Sequence, residues 1–195
     1  MRYALIGDSH GQVIVPALRK ALTAAGHTVV LAEANPGWSS SRYLSDGIAA
    51  RLRAARPDRV VVQLGGNDRQ KDAEMATTLG AWRDAIVGAG ADAIWFGPFQ
   101  AIRDPHRGSH DTTAGILARR LPALGIRFVD TRPFSQEGHR DDGVHFRSYA
   151  SIARAISDRL AQTLAAPRSS VRGWIALGVA SAALVAFLLL RRRVT

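Results

Sequence analysis

The chain has no cysteine among its 195 residues. That excludes disulfides, a thiol nucleophile and thiolate metal sites, while leaving the redox compartment undecided. Lysine is nearly as scarce: 24 of the 26 basic residues are arginine, a bias read as genome composition rather than function. Acidic residues are missing from Pro167 onward, where five arginines fall. Residues 1–166 therefore carry 21 basic and 16 acidic residues, +5 of the formal +10. No basic stripe interleaved with aromatic residues runs along that body, so no nucleic-acid partner is expected. The opening MRYALIG lacks the basic-then-apolar pattern of a secretory signal and reads as a strand.

One long apolar run is present. Trp174 to Leu190, WIALGVASAALVAFLLL, is uncharged and is followed by Arg191, Arg192 and Arg193. At ~1.5 Å per residue it reaches about 26 Å, near the ~30 Å hydrocarbon core of a bilayer. Against the alternative of a buried core helix, its all-round apolarity and arginine stop favour a single-pass C-terminal membrane anchor. The expected organisation is a catalytic body over 1–166, a polar linker over 167–173, a transmembrane helix over 174–190 and a basic end over 191–195. Two cues to orientation conflict. A tail anchor without a signal leaves the body in the cytosol, whereas the larger arginine cluster favours the extreme C-terminus inside.

Between the ends, short β-rich runs alternate with helical stretches. Strands are expected over Tyr3–Gly7, Thr28–Glu33, Arg59–Gly65, Asp92–Gly97 and Ile126–Asp130, and helices over Gln12–Ala25, Tyr43–Ala55, Glu74–Val87, Thr112–Leu124 and Phe146–Ala165. Arg59–Gly65, RVVVQLG, is nearly continuous in apolar residues, as a strand covered on both faces should be. This alternation predicts a parallel sheet with helices on both faces, in which ligands sit beyond the C-terminal strand ends. Those ends carry Asp8-Ser9-His10, Asn35-Pro36-Gly37-Trp38, Gly66-Asn67-Asp68, Pro98-Phe99-Gln100, and a loop with Asp141, Asp142 and His145.

Four of these stretches, GDSH at 7–10, Gly37, GGND at 65–68 and DGVH at 142–145, resemble the blocks of the SGNH (GDSL-type) hydrolase family, in its order and at similar spacing, over roughly residues 3 to 165. The resemblance implies an α/β fold, a flavodoxin-like three-layer α/β/α sandwich with a five-stranded parallel sheet, to which the C-terminal transmembrane helix is an addition. It also implies a serine esterase with Ser9 as nucleophile, His145 as base and Asp142 orienting it. The oxyanion donors would be the Ser9 and Gly37 N–H groups and the Asn67 amide. His10, Trp38, Asp68 and Phe99 are candidates for lining the substrate.

The chemistry is coherent on its own terms. A serine hydroxyl is a poor nucleophile unless a base within hydrogen-bond reach takes its proton. Histidine titrates near neutrality, and an acid three residues before it can aim at its other ring nitrogen. A glycine at 37 would keep a side chain out of the substrate's approach. Each residue alone has a plainer reading. Ser9 could cap the following helix, and Asn67 and Asp68 the next segment. Asp8 is read as a structural residue of the turn, and Asp141 competes with Asp142 as the acid. His10 stands where the family most often has an aliphatic residue. His106, His110 and His139 show no metal-ligand spacing; no metal and no cofactor are expected. The stretch from Pro98 to Asp111 is either a substrate-facing lid or a solvated connection.

The expected activity is hydrolysis of carboxylic esters through an acyl-enzyme on Ser9, with a small acyl group such as acetyl on a carbohydrate as first substrate. The alternatives are a lysophospholipase- or lipase-like esterase at the membrane, a non-catalytic binding or structural module on the same fold, and acyl transfer to a sugar instead of water.

Overall fold

The computed structural model describes residues 1–135 and 138–165, with the side chains of 163–165 excepted. By its contacts the chain divides into Met1–Asp158 and Arg159–Thr195. The first unit holds the whole sheet. Of the second, the described part is helical, the last turns of the final helix.

Five strands, β1 (Arg2–Gly7), β2 (Thr28–Ala34), β3 (Arg59–Gln63), β4 (Asp92–Phe96) and β5 (Arg127–Val129), form one sheet in the order β2-β1-β3-β4-β5. Every neighbouring pair is parallel. The order reverses beside β1, placing the topological switch point between β1 and β3, where open sheets of this kind take their ligands. Central β3 is buried along its length, as its valine run predicts.

Alternation within the strands sends side chains to two faces. Ala4, Ile6, Val60, Val62 and Trp95 join a cluster with α2 (Ser40–Ser45), α3 (Ile48–Ala55), α4 (Asp72–Gly88) and α5 (His106–Ala123) through residues such as Tyr43, Leu52, Trp82 and Leu117. Tyr3, Leu5, Val61, Ile94 and Phe96 are buried too but outside that cluster. Helix α1 (Gly11–Ala24) packs along β1 and β2 on their side. Its Ile14, Leu18 and Leu22 recur at helical spacing and are buried. The final helix, α6, runs Ala150–Ala165, with Ile152 and Ile156 buried.

Several expected boundaries move. The single helix over 43–55 is two, α2 and α3, because Gly47 takes a left-handed φ of +83° between them. Helix α5 starts at His106 rather than Thr112, so the second half of the Pro98–Asp111 stretch is helical and only 98–105 is loop. Phe146 is not the start of α6; it pairs with His139 in an isolated antiparallel bridge. No described helix is long and apolar enough to cross a membrane. The expected linker, span and basic end, 167–195, lie outside the described residues.

Candidate active site

The turn after β1 is shaped by two glycines. A Cβ on Gly7 would lie 2.7 Å from the Cα of Gly11, so strand and helix meet backbone to backbone and the three residues between them form a tight turn. The Tyr43 hydroxyl donates to the Gly7 carbonyl at 2.6 Å, and the Asp8 carboxyl accepts the His10 N–H at 3.0 Å. Helix α1 is entered through His10, which gives no side-chain cap. Ser9 does not cap it either. Its Oγ lies 3.0 Å from Nε2 of His145.

His145 sits in a small closed loop. His139 and Phe146 pair at its neck, the Arg140 N–H donates to the His145 carbonyl at 2.6 Å, and the Gly143 N–H to that of Arg140 at 3.0 Å. Within the loop, one Asp142 oxygen accepts the N–H groups of Val144 and His145, each at 2.9 Å. The other lies 2.8 Å from Nδ1 of His145. The Val144 and His145 bonds hold the Asp142 carboxyl well below the usual carboxylate range. A carboxylate only accepts, so Nδ1 carries the proton and the Nε2 lone pair faces Ser9. Asp141, the competing acid, projects into solvent with its side chain 99% exposed, 3.5 Å from Arg147. The loop after β4 braces this one: the Ile102 N–H donates to the Gly143 carbonyl at 2.9 Å, and Arg103 donates to the Asp141 carbonyl.

Gly37 has a left-handed φ of +73°, and a Cβ there would meet no atom within 4 Å. The backbone itself is thus a reason for glycine at this position, besides any clearance for substrate. The Asn67 amide donates to the Trp38 carbonyl at 3.3 Å, which fixes its orientation beside Ser9.

Of the four residues expected to line the substrate, three belong deeper or elsewhere. Asp68 is buried, and its carboxyl accepts both the N–H (3.0 Å) and the hydroxyl (2.7 Å) of Ser40, tying the loop after β3 to the start of α2. Phe99 is buried against His10 and Phe146, and its carbonyl accepts from Nδ1 of His110 at 2.7 Å. Trp38 packs edge-on against Tyr43 with Arg42 over its ring, and it meets the site through its carbonyl. His10 does border the site but is only 2% exposed. Its Nδ1 lies 3.0 Å from the Tyr149 hydroxyl, and its ring centroid is 5.1 Å from that of His145. Burial, then the neighbouring His145, holds its pKa down to about 3, so it stays neutral and is no base near pH 7.

Two hollows flank the Ser9–His145 pair, and Ser9, Asn67 and His145 line both. The smaller, about 190 Å³ and open on one side, is also lined by Asp8, Gly66, His106, His110, Asp142 and Val144, with His10. The larger, about 470 Å³, is bounded by Gln12, Val13, Pro36, Gly37, Arg140 and Tyr149. Burial pushes the Asp8 carboxyl up to about 7 despite its hydrogen bond from the His10 N–H. Among the described residues no three or more His or acidic groups converge as a metal site. Sequence reasoning weighs His106 and His110 only as metal ligands and within the Pro98–Asp111 stretch, and Arg140 and Tyr149 are not among its candidates. The histidines enter because α5 begins early, and nothing in a short motif marks Arg140 or Tyr149.

No family model matches the sequence, and neither does any curated protein. Solved structures do match in fold. A carbohydrate acetylesterase family member from Sinorhizobium meliloti superposes with a TM-score of 0.69 at 15% identity, over 85% of this chain and 100% of its own. A carbohydrate esterase of family 3 from Talaromyces cellulolyticus gives 0.66 at 20% identity, over 84% and 97%. A putative SGNH hydrolase from Slackia heliotrinireducens gives 0.65 at 23% identity, over 84% and 98%. The chain has the SGNH-hydrolase fold, and the resemblance read from the four sequence blocks agrees with it.

Proposed function

We propose that the protein is a serine esterase that hydrolyses carboxylic esters through an acyl-enzyme on Ser9. The observation that carries the reading is the unbroken chain from Ser9 Oγ to His145 Nε2 (3.0 Å) and from His145 Nδ1 to Asp142 (2.8 Å). In the first half-reaction Ser9 Oγ bonds to the ester carbonyl carbon as its proton passes to Nε2 of His145. The N–H groups of Ser9 and Gly37 and the Asn67 amide take the oxyanion, one such donor typically being worth about 10²–10³ in kcat. Collapse breaks the bond to the alkoxy group, and the imidazolium, paired with Asp142, returns the proton to it. Water then adds to the acyl carbon with His145 again as base. The acid leaves and Ser9 regains its proton.

A small acyl group such as acetyl, on a carbohydrate alcohol, is the substrate we favour. The smaller hollow is only about 190 Å³, and two of the similar structures are a carbohydrate acetylesterase family member and a family 3 carbohydrate esterase. The apolar run at 174–190 supports a second reading, an esterase acting on lysophospholipids at a membrane in which that run is the anchor. Turnover of 4-nitrophenyl acetate that disappears in Ser9→Ala, together with labelling of Ser9 by a fluorophosphonate, is the expected result. Absence of both in the full chain would leave a non-catalytic module on this fold. Rates that rise with acyl length in the same assay would favour the lipid reading over the acetyl one. Partition of the full chain, but not of residues 1–166, into membranes checks the anchor, and protease protection in sealed vesicles reports the side of the body.

A further inference from the structure

The two hollows beside Ser9 differ in charge. Asp8 and Asp142 both line the smaller one. No acidic residue is among those lining the larger, whose one charged residue is Arg140. Arg140 is exposed, but it is held at its backbone and at one edge of its side chain. Its N–H and carbonyl are bonded within the loop that carries His145, and its Nε donates to the Phe146 carbonyl at 3.0 Å. The guanidinium is thus tethered at one edge to the base's own loop. Among the described residues no carboxylate makes an ion pair with its remaining N–H groups. Val13, Pro36 and Tyr149 give the same hollow an apolar wall.

A planar cation whose remaining donors no described carboxylate takes, beside an apolar wall and lining the same hollow as Ser9, is complementary to a carboxylate or phosphate. We propose that the larger hollow binds an anionic group of the ester substrate and that Arg140 is the residue that selects it. The inference rests on the esterase reading and names its substrate class: esters bearing a carboxylate or phosphate next to the scissile bond, as on an acidic sugar or a phosphorylated alcohol.

The test uses the full chain and three matched aryl acetates: 3-acetoxybenzoate, its neutral amide 3-acetoxybenzamide, and 3-acetoxyphenyl phosphate. The expected kcat/KM favours an anionic ester over the amide by about fivefold, the scale of one exposed ion pair. The benzoate and the phosphate arms tell a carboxylate-bearing from a phosphate-bearing substrate. The ratio falls toward one in Arg140→Gln, is largely restored in Arg140→Lys, and declines with salt in the native protein. A ratio of one in the native protein, or a ratio that Arg140→Gln leaves in place, overturns the proposal while esterase activity stands. If no ester is turned over, the esterase reading fails and calorimetry decides this one. Tighter binding of 3-hydroxybenzoate than of 3-hydroxybenzamide, lost in Arg140→Gln, supports the anionic subsite, and equal binding removes it.

Discussion

Asp142 grips His145 at both ends of that residue: one carboxylate oxygen accepts its backbone N–H at 2.9 Å while the other meets ring Nδ1 at 2.8 Å. In Asp142→Asn the amide oxygen can keep the backbone bonds, which turns the amide NH₂ toward the ring. Nδ1 must then accept, the ring proton moves to Nε2, and no lone pair faces Ser9. We expect kcat to fall by about 10³–10⁴ with a smaller change in KM. Imidazole ¹⁵N shifts that report the Nδ1–H tautomer in the native protein and the Nε2–H tautomer in the variant would check the cause. The carboxyl is held below the usual range, so its stabilising effect is present above the unfolded carboxylate pKa and is lost only as pH falls through the lower folded value. An acid limb in the rate profile between pH 5 and 7 would therefore belong to another group.

His10 and Asp8 give opposite pH dependence to stability. Burial raises Asp8 to about 7 in the folded chain, so its contribution is fully present below the unfolded value of 3.8 and is lost as pH rises toward 7. Burial lowers His10 to about 3, so its contribution is present above 6.5 and is lost as pH falls toward 3. From about pH 4 to 6.5 each slope is on the order of 1 kcal/mol per pH unit, and they cancel. Asp8→Asn keeps an oxygen for the His10 N–H and removes one slope. Its urea midpoint should climb relative to that of the native protein as pH rises from 4 to 6.5. His10→Leu should do the reverse. Midpoint differences that do not change with pH would show that neither group is shifted.

Asn67 tests the oxyanion assignment. Its amide is fixed by the Trp38 carbonyl at 3.3 Å and lines both hollows beside Ser9. Asn67→Ala removes one donor to the developing charge and should lower kcat about 10²–10³-fold with little change in KM. The residue is half-buried, so the melting temperature should move by only a degree or two. A loss of activity matched by a large loss of stability would mark Asn67 as structural instead.

The parts of this site that sequence reveals are those whose geometry is local. Asp142 and His145 lie three residues apart in one turn, and Gly7 and Gly11 bracket Ser9, so residue types and spacing carry the arrangement. The five strands follow from alternation, and their parallel pairing from the helices between them. Partners distant in sequence are another matter. Asp68 resembles a site residue until Ser40, 28 positions earlier, is found on its carboxyl. Phe99 lies at a strand end but is covered by His10 and Phe146. The break at Gly47 interrupts a helical pattern on both sides, and glycine alone does not announce a left-handed turn. Arg140 faces the larger hollow because of how the 139–146 loop closes, which no motif records.

Tyr43 joins three parts of the site and gives a test of how rigidly they are held. Its hydroxyl donates to the Gly7 carbonyl at 2.6 Å, just before the Ser9 turn. It accepts from the backbone and side-chain amides of Asn35, each at 3.1 Å, at the start of the loop that carries Gly37. The turn that carries Ser9 and the loop that carries Gly37 are thus pinned to one buried oxygen on α2. Tyr43→Phe preserves the ring, which packs on Trp38 and Trp82, and removes only that oxygen. The Gly7 carbonyl keeps the Asn35 N–H at 3.0 Å, while the Asn35 side-chain amide loses its partner. The cost should be about 1–2 kcal/mol, a drop of roughly 3–6 °C in melting temperature for a chain of this size. Because the Ser9 and Gly37 N–H groups would no longer be held in register, kcat should fall several-fold with KM nearly unchanged. A variant with the expected loss of stability but native kcat would show that the two loops are positioned by their own backbones, and that Tyr43 serves the core alone.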